Sequence, residues 1–347
     1  MNRIGWLDAS RGLAVLLLVA MHYVGGLESR SFISAHTLDV FYGLLRLATP
    51  FFMFTFGLAF YITASKKIER NGLLNYYKHN VFKRMLYILC AREIIVIILA
   101  FHYPHVADNL ISILLFEKFA PGGEILIFYF FAFLLAPLNV VFLKRFNIVL
   151  YVAFWLVIYF IAVYIGSNYV DRSSSNAMRF LFFDIYAFFP FLIVVATAML
   201  VSKHFLNTLD RNRFLVFGLV LGLICFMAGF ALLNSLTTEI WPALSRADFK
   251  APPHPGYMIF YLGEVFIVIT LVALLSSKTP SFINNILSLL GRNTLVSYVV
   301  HYTFFACVPI AAFFGGGAIL EALFLIIICL LSYFGIKAWD KHKASKK

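Results

Sequence analysis

The strongest constraint on this chain is its division into about ten apolar runs of helical length. They fall at 12–27, 47–64, 85–101, 123–143, 148–166, 181–201, 214–234, 257–276, 293–314 and 318–336. Of the 347 residues, 62% are hydrophobic and only 13% are charged, more apolar surface than a soluble fold of this length can hide. Lipid must therefore be the solvent for most of the chain. The sequence predicts an all-α, polytopic integral membrane helix bundle of about ten transmembrane helices. No internal repeat, linker or low-complexity segment interrupts it, so residues 1–347 read as a single domain.

The net charge of +12 is distributed in short basic clusters between the apolar runs. That pattern follows the positive-inside rule and lacks the solvated basic stripe with interleaved aromatics that would point to nucleic acid. With the N-terminus in the cytoplasm, Arg3, Arg11, the cluster Lys66 to Arg84, Lys144, Arg145, Lys203, Arg211, Arg213, Lys278, Arg292 and the Lys-rich tail share that side. This places about 20 of the 28 Lys and Arg together and supports two cytoplasmic termini. The outer connections are then 28–46, 102–122, 167–180 and 235–256; "LISILLF" in the second is too short to span and reads as a re-entrant or interfacial helix. The tail "DKHKASKK" reads as a flank attracted to anionic lipid. The first run has Asp8 ahead of it and no convincing small-residue cleavage site, so it reads as a retained helix.

Within the first helix, "RGLAVLLLVAMH" runs from Arg11 to His22. Eleven steps of 100° end about 20° past three turns, so the two side chains share a face roughly 16 Å apart along the axis. Asp8, three residues before Arg11, joins the same stripe. Ionisable groups are costly in a membrane and must face the bundle interior, a wet cavity or the interface. Read separately, Asp8 is an N-cap, Arg11 a surface anchor to phosphate and His22 a packed interior residue. Read as one stripe, His22 is a neutral imidazole able to take a proton from a hydroxyl as general base.

"WLDASRGLAVLLLVAMHY" resembles the opening of the transmembrane acyltransferase superfamily, which includes the acyltransferase-3 family and the heparan-α-glucosaminide N-acetyltransferase-like proteins. Both groups open with Asp, then Arg-Gly, then an apolar helix; in acyltransferase-3 proteins a basic residue is followed by ten residues and a His, as Arg11 is by His22. "TPFFMFTFGLAFYI" (49–62) and "LGRNTLVSYVVHYTFF" (290–305) resemble further helices of the family, and "FKAPPHPGYMIFYLG" (249–263) resembles a Pro-Pro element commoner on the N-acetyltransferase-like side. The resemblance implies O-acylation of a cell-surface or lipid-linked saccharide, with cytoplasmic acyl-CoA, most simply acetyl-CoA, as donor. It implies His22 as base, Asp8 holding Arg11, and Arg11 meeting the CoA phosphates. The Arg-x-x-Arg usual near the third helix is absent; "FKRMLYILCARE" offers Lys83, Arg84 and Arg92 instead, with Arg84 and Arg92 about 80° off a common face. Arg84 is thus a candidate for the phosphates or a plain basic flank, and Arg92 a channel residue or an ion-pair partner, for instance of Glu93.

His36 is the rival base, near the place where the N-acetyltransferase-like branch carries its catalytic His; with it the reaction would be N-acetylation of an amino sugar. The plain reading of His36 is a solvated loop residue. His102, His105 and Asp108 are a weak metal-ligand set, and none is expected to hold a metal. His301 reads as a packed helix contact or a pocket residue, and Trp241 and Tyr257 as interfacial anchors or a sugar platform. The four cysteines lie within apolar runs without CxxC spacing and read as small packed residues. No Walker loop, nucleophile elbow or HExxH pair occurs. A transporter with His22, Arg92 and Glu93 in its pathway is the rival outside enzymes, although paired halves with broken helices are not apparent. Expected partners are acyl-CoA, a saccharide acceptor and membrane lipid, with a homo-oligomer left open, in a bacterial inner membrane.

Overall fold

A computed structural model describes residues 4–25, 34–119, 123–171, 173–206, 211–276, 278–307 and 333–339. Among these no strand occurs, and sixteen α-helices carry the fold. In chain order they are α1 (Gly5–Gly25), α2 (Ala35–Leu45), α3 (Ala48–Asn71), α4 (Leu73–Tyr76), α5 (Phe82–His102), α6 (Pro104–Ala107), α7 (Leu110–Leu114) and α8 (Glu124–Arg145). Then follow α9 (Ile148–Tyr169), α10 (Asn176–Phe182), α11 (Phe188–Val201), α12 (Arg211–Asn234), α13 (Ile240–Arg246), α14 (Pro255–Leu275), α15 (Ser281–Arg292) and α16 (Thr294–Cys307).

Seven of the described helical segments are long and apolar enough to cross a membrane, and they match seven of the ten expected spans. They hold α3, α5, α8, α9, α11, α12 and α14. The first expected span coincides with α1, which is 21 residues long but carries Asp8, Ser10, Arg11 and His22. The ninth expected span is described to Cys307, and the tenth lies largely outside the described residues. The chain is an integral membrane protein with an all-α polytopic fold.

The long helices alternate in direction. One end of the bundle gathers Lys66, Lys67, Arg70, Lys83, Arg84 and Lys144, and is called the basic end here; the other is the far end. At the basic end Lys144 donates to the Ser65 carbonyl and pairs with Glu69 at 2.6 Å, while Lys203 donates to the Leu143 carbonyl. Lys203 thereby satisfies a carbonyl that the C-terminus of α8 leaves open, while Lys144 bridges α8 to α3. The peripheral helices α9 and α12 present Val149, Val157, Phe160, Val216, Ile224 and Met227 outward, an apolar exterior suited to lipid.

All four expected outer loops contain helices. The connection 28–46 holds α2, whose N-cap Ser34 accepts the Thr37 backbone N–H, and which packs on α13 from the expected loop 235–256. The connection 167–180 holds most of α10, N-capped by Ser175. In 102–122 the "LISILLF" segment forms α7, consistent with a short non-spanning helix.

A close helix pairing joins α1 and α15. A Cβ on Gly12 would overlap the Leu287 carbonyl, and one on Gly291 would overlap the Asp8 carbonyl. The two backbones touch because neither residue has a side chain. Substitution forces the helices apart, so Gly12→Ala is expected to lower stability by about 1–3 kcal/mol, the usual range for overpacking. The thermal midpoint of the detergent-solubilised protein should fall; an unchanged midpoint would contradict the contact.

Candidate active site

The α1 stripe is completed by α16, which runs parallel to it. Arg11 Nη2 donates to Thr294 Oγ1 at 2.8 Å near the basic end, and His22 Nε2 lies 3.2 Å from the Tyr302 hydroxyl toward the far end. Asp8 is 3.9 Å from the Arg11 guanidinium, a loose pairing. Asp8 is about 21 Å along the axis from His22, so it acts on Arg11 and not on the imidazole.

His22 sits in an aromatic and imidazole cluster. Its ring centroid is 5.2 Å from Tyr302 and 5.9 Å from His301. Tyr298 in turn meets His301 at 4.9 Å and Tyr302 at 5.0 Å. The spacing explains the grouping: residues 298, 301 and 302 are i, i+3 and i+4 on one helix face. His301 Nδ1 lies 3.3 Å from the Ser297 carbonyl, which can only accept. Its Nδ1 therefore carries the proton.

A cavity of about 320 Å³ rises from the basic end toward this cluster. Lys67 and Arg84 line its mouth, Arg11 and Thr294 its flank, and Tyr129 and Tyr298 its deep end. His22 is not among the lining residues; Tyr298 joins the cavity to the His22 cluster. The turn Tyr77–Val81 between α4 and α5 is π-helical, and the positions Tyr76, Asn80 and Arg84 around it all line the cavity. Such turns recur where a helix must re-aim side chains at a site.

The remaining sequence candidates lie elsewhere. Arg92 is buried, with Nη1 2.6 Å from Glu93 and Nη2 donating to the Ile113 carbonyl at 2.5 Å; its guanidinium lies 4.2 Å over the Phe116 ring. It ties α5 to the α7 segment and does not line the cavity. His36 is exposed in the first turn of α2, outside the His22 cluster. His102 and His105 are exposed, and no group of three metal-ligating side chains occurs among the described residues.

The structure adds residues that sequence reasoning passed over. Lys250, in the connection between α13 and α14, is 3% exposed, and its ammonium lies 4.4 Å over the Tyr186 ring. Arg46, just after α2, donates to the Ser245 carbonyl and stacks at 4.7 Å over Tyr42. Lys250 lies within electrostatic reach of His22, Arg46 and Glu124. The available signals were the lysine two residues before the Pro252-Pro253 pair and the His-Tyr doublet at 301–302.

A family model for an acyltransferase domain, that of the acyltransferase-3 family, matches residues 4–336. The chain belongs to the acyltransferase-3 family. No curated protein matches it. The matched region spans both helices of the His22–Tyr302 pair, every residue lining the cavity, and Lys250. The chain is thus a membrane acyltransferase.

Burial, and then the charge of Arg46, push the Lys250 ammonium down to about 7, partly opposed by Glu124. The groups facing it are Arg46 after α2, Glu124 on α8, Tyr186 before α11 and His22 on α1. In the unfolded chain lysine keeps its usual value near 10.4, so between about pH 7 and 10.4 the unfolded state binds more protons. This site's contribution to stability therefore rises with pH across that window. The difference in thermal midpoint between wild type and Lys250→Met should move toward the wild type as pH rises from 7 to 10. A difference independent of pH would contradict the buried ammonium.

Proposed function

We propose that this membrane acyltransferase moves an acyl group, acetyl in the simplest case, from acyl-CoA to a hydroxyl of a cell-surface or lipid-linked saccharide. The observation that carries this reading is the cavity leading from Lys67 and Arg84 to Tyr298, against the His22–Tyr302 pair. In this proposal the basic end is cytoplasmic, as the positive-inside rule favours, and the protein sits in a bacterial inner membrane with both termini inside. The mouth would hold the anionic phosphates of CoA, with Arg11 as a further partner on the flank. The pantetheine arm would lie along the cavity, with its thioester directed toward Tyr298.

The acceptor would arrive from the far end. His22, whose Nε2 lies beside the Tyr302 hydroxyl, would take the acceptor's proton as general base. The freed oxygen attacks the thioester carbonyl, the carbon–sulfur bond breaks, and the CoA thiolate takes back the proton from the imidazolium. An ester and free CoA result, and His22 returns to its neutral form. This division of labour suits a reaction whose donor and acceptor lie on opposite sides of a membrane.

The test is acyl transfer by purified protein in nanodiscs, with labelled acetyl-CoA and a membrane saccharide fraction. His22→Ala is expected to reduce transfer by about 10²–10⁴-fold, the usual contribution of a positioned general base. His36→Ala should leave the rate within a few-fold. Full activity in His22→Ala would refute the base, and the absence of transfer from any acyl-CoA would refute the reaction.

A further inference from the structure

Lys250 is an anomaly that the proposed transfer does not use. Its side chain is 3% exposed, yet among the described residues no carboxylate comes within 4 Å of it. Its ammonium lies 4.4 Å over the face of Tyr186. The neighbouring charge of Arg46 repels it, and the carboxylate that attracts it, Glu124, also lies near the Arg179–Asp184 pair, closed at 2.7 Å. A buried ammonium without a counter-ion is costly, and a Met or Leu would fill the same space without that cost.

The surrounding backbone fixes where this ammonium stands. The Lys250 N–H donates to the Ala247 carbonyl, and the His254 N–H to the Phe249 carbonyl. The Tyr159 hydroxyl reaches across from α9 to donate to the Pro253 carbonyl at 2.8 Å, and the His254 side chain caps α14 through the Gly256 N–H. Arg46 braces the same region by binding the Ser245 carbonyl of α13. The loop is thus held from α2, α9 and α14, with Lys250 turned inward and its charge felt at His22. Rigid support from several elements is what a preorganised binding group requires.

We propose that Lys250, with the charge of Arg46 beside it, seats an anionic oxygen group of the acceptor, so that the molecule acylated at His22 carries a carboxylate or phosphate near its reacting hydroxyl. This rests on the proposed acyl transfer and narrows its acceptor from saccharides in general to acidic ones. The bound anion is the counter-ion that Lys250 lacks in the protein alone. It also relieves the repulsion between Lys250 and Arg46, and it orients the hydroxyl toward the imidazole through a second, fixed contact. Because burial and Arg46 bring the ammonium down to about 7, the seat weakens as pH rises past that value.

The experiment is ligand-induced stabilisation of the full chain in nanodiscs, without donor, using glucuronate, glucose 1-phosphate and glucose as probes. The two anions distinguish a carboxylate from a phosphate source, and glucose is the neutral control. At least one anion should raise the thermal midpoint of the wild type at pH 6.5, with the rise fading by pH 8.5. Glucose should have no such effect, Lys250→Met should abolish it, and Lys250→Arg should retain part of it. A second measurement needs no variant: acetylation of Lys250 by an amine-reactive ester, read by mass spectrometry, should be slowed by the effective anion and not by glucose. Equal effects of glucose and the anions, or an unchanged response in Lys250→Met, would overturn the proposal. Since no acyl-CoA is present, anion binding that persists while acyl transfer fails counts against the transfer reading and not against the seat.

Discussion

The contact on which the rest of the site depends is the backbone approach of α1 and α15 at Gly12 and Gly291. Because α16 follows α15 after a single residue, Asn293, the place where α15 lies fixes where α16 begins. α16 then runs beside α1 in the same direction. Two polar contacts result, Arg11 to Thr294 near the basic end and His22 to Tyr302 toward the far end. The glycines in the Arg-Gly and Gly-Arg pairs are therefore structural, while Arg11 beside Gly12 lines the cavity. A wider spacing between α1 and α15 would separate both polar pairs at once.

In lipid, each polar side chain needs a partner within the protein, and the partners sort structural groups from functional ones. Arg92 is held by Glu93, the Ile113 carbonyl and the Phe116 ring. Asn139 accepts from Tyr151 and Trp155 and donates to Met199, joining α8, α9 and α11. Tyr261 donates to the Gly43 carbonyl and ties α14 to α2. Each of these closes on itself. The His22 cluster instead adjoins the cavity through Tyr298, where the proposed transfer would take place.

The helical stripe of α1 was legible because 3.6-residue periodicity needs no tertiary information: Arg11 and His22 share a face whatever packs against it. The membrane class and seven of the spans were legible for the same reason, since length and apolarity decide them. Helices α2, α10 and α13 were hidden inside connections because each is short and its stability comes from packing rather than from a long apolar run. The placement of Arg92 away from the cavity was not legible. Its partners Ile113 and Phe116 lie more than twenty residues onward, and only folding brings them together. Lys250 was hidden for a related reason: an irregular loop has no period from which burial can be read.

The central claim is that donor and acceptor meet at His22 from opposite faces of the membrane. Its most direct test is sidedness in proteoliposomes of known orientation, with labelled acetyl-CoA supplied to one face at a time. The account predicts label on the acceptor when acetyl-CoA is at the face bearing Lys67 and Arg84, and none when it is confined to the other face. Equal transfer from either face, or transfer only from the far face, would contradict it.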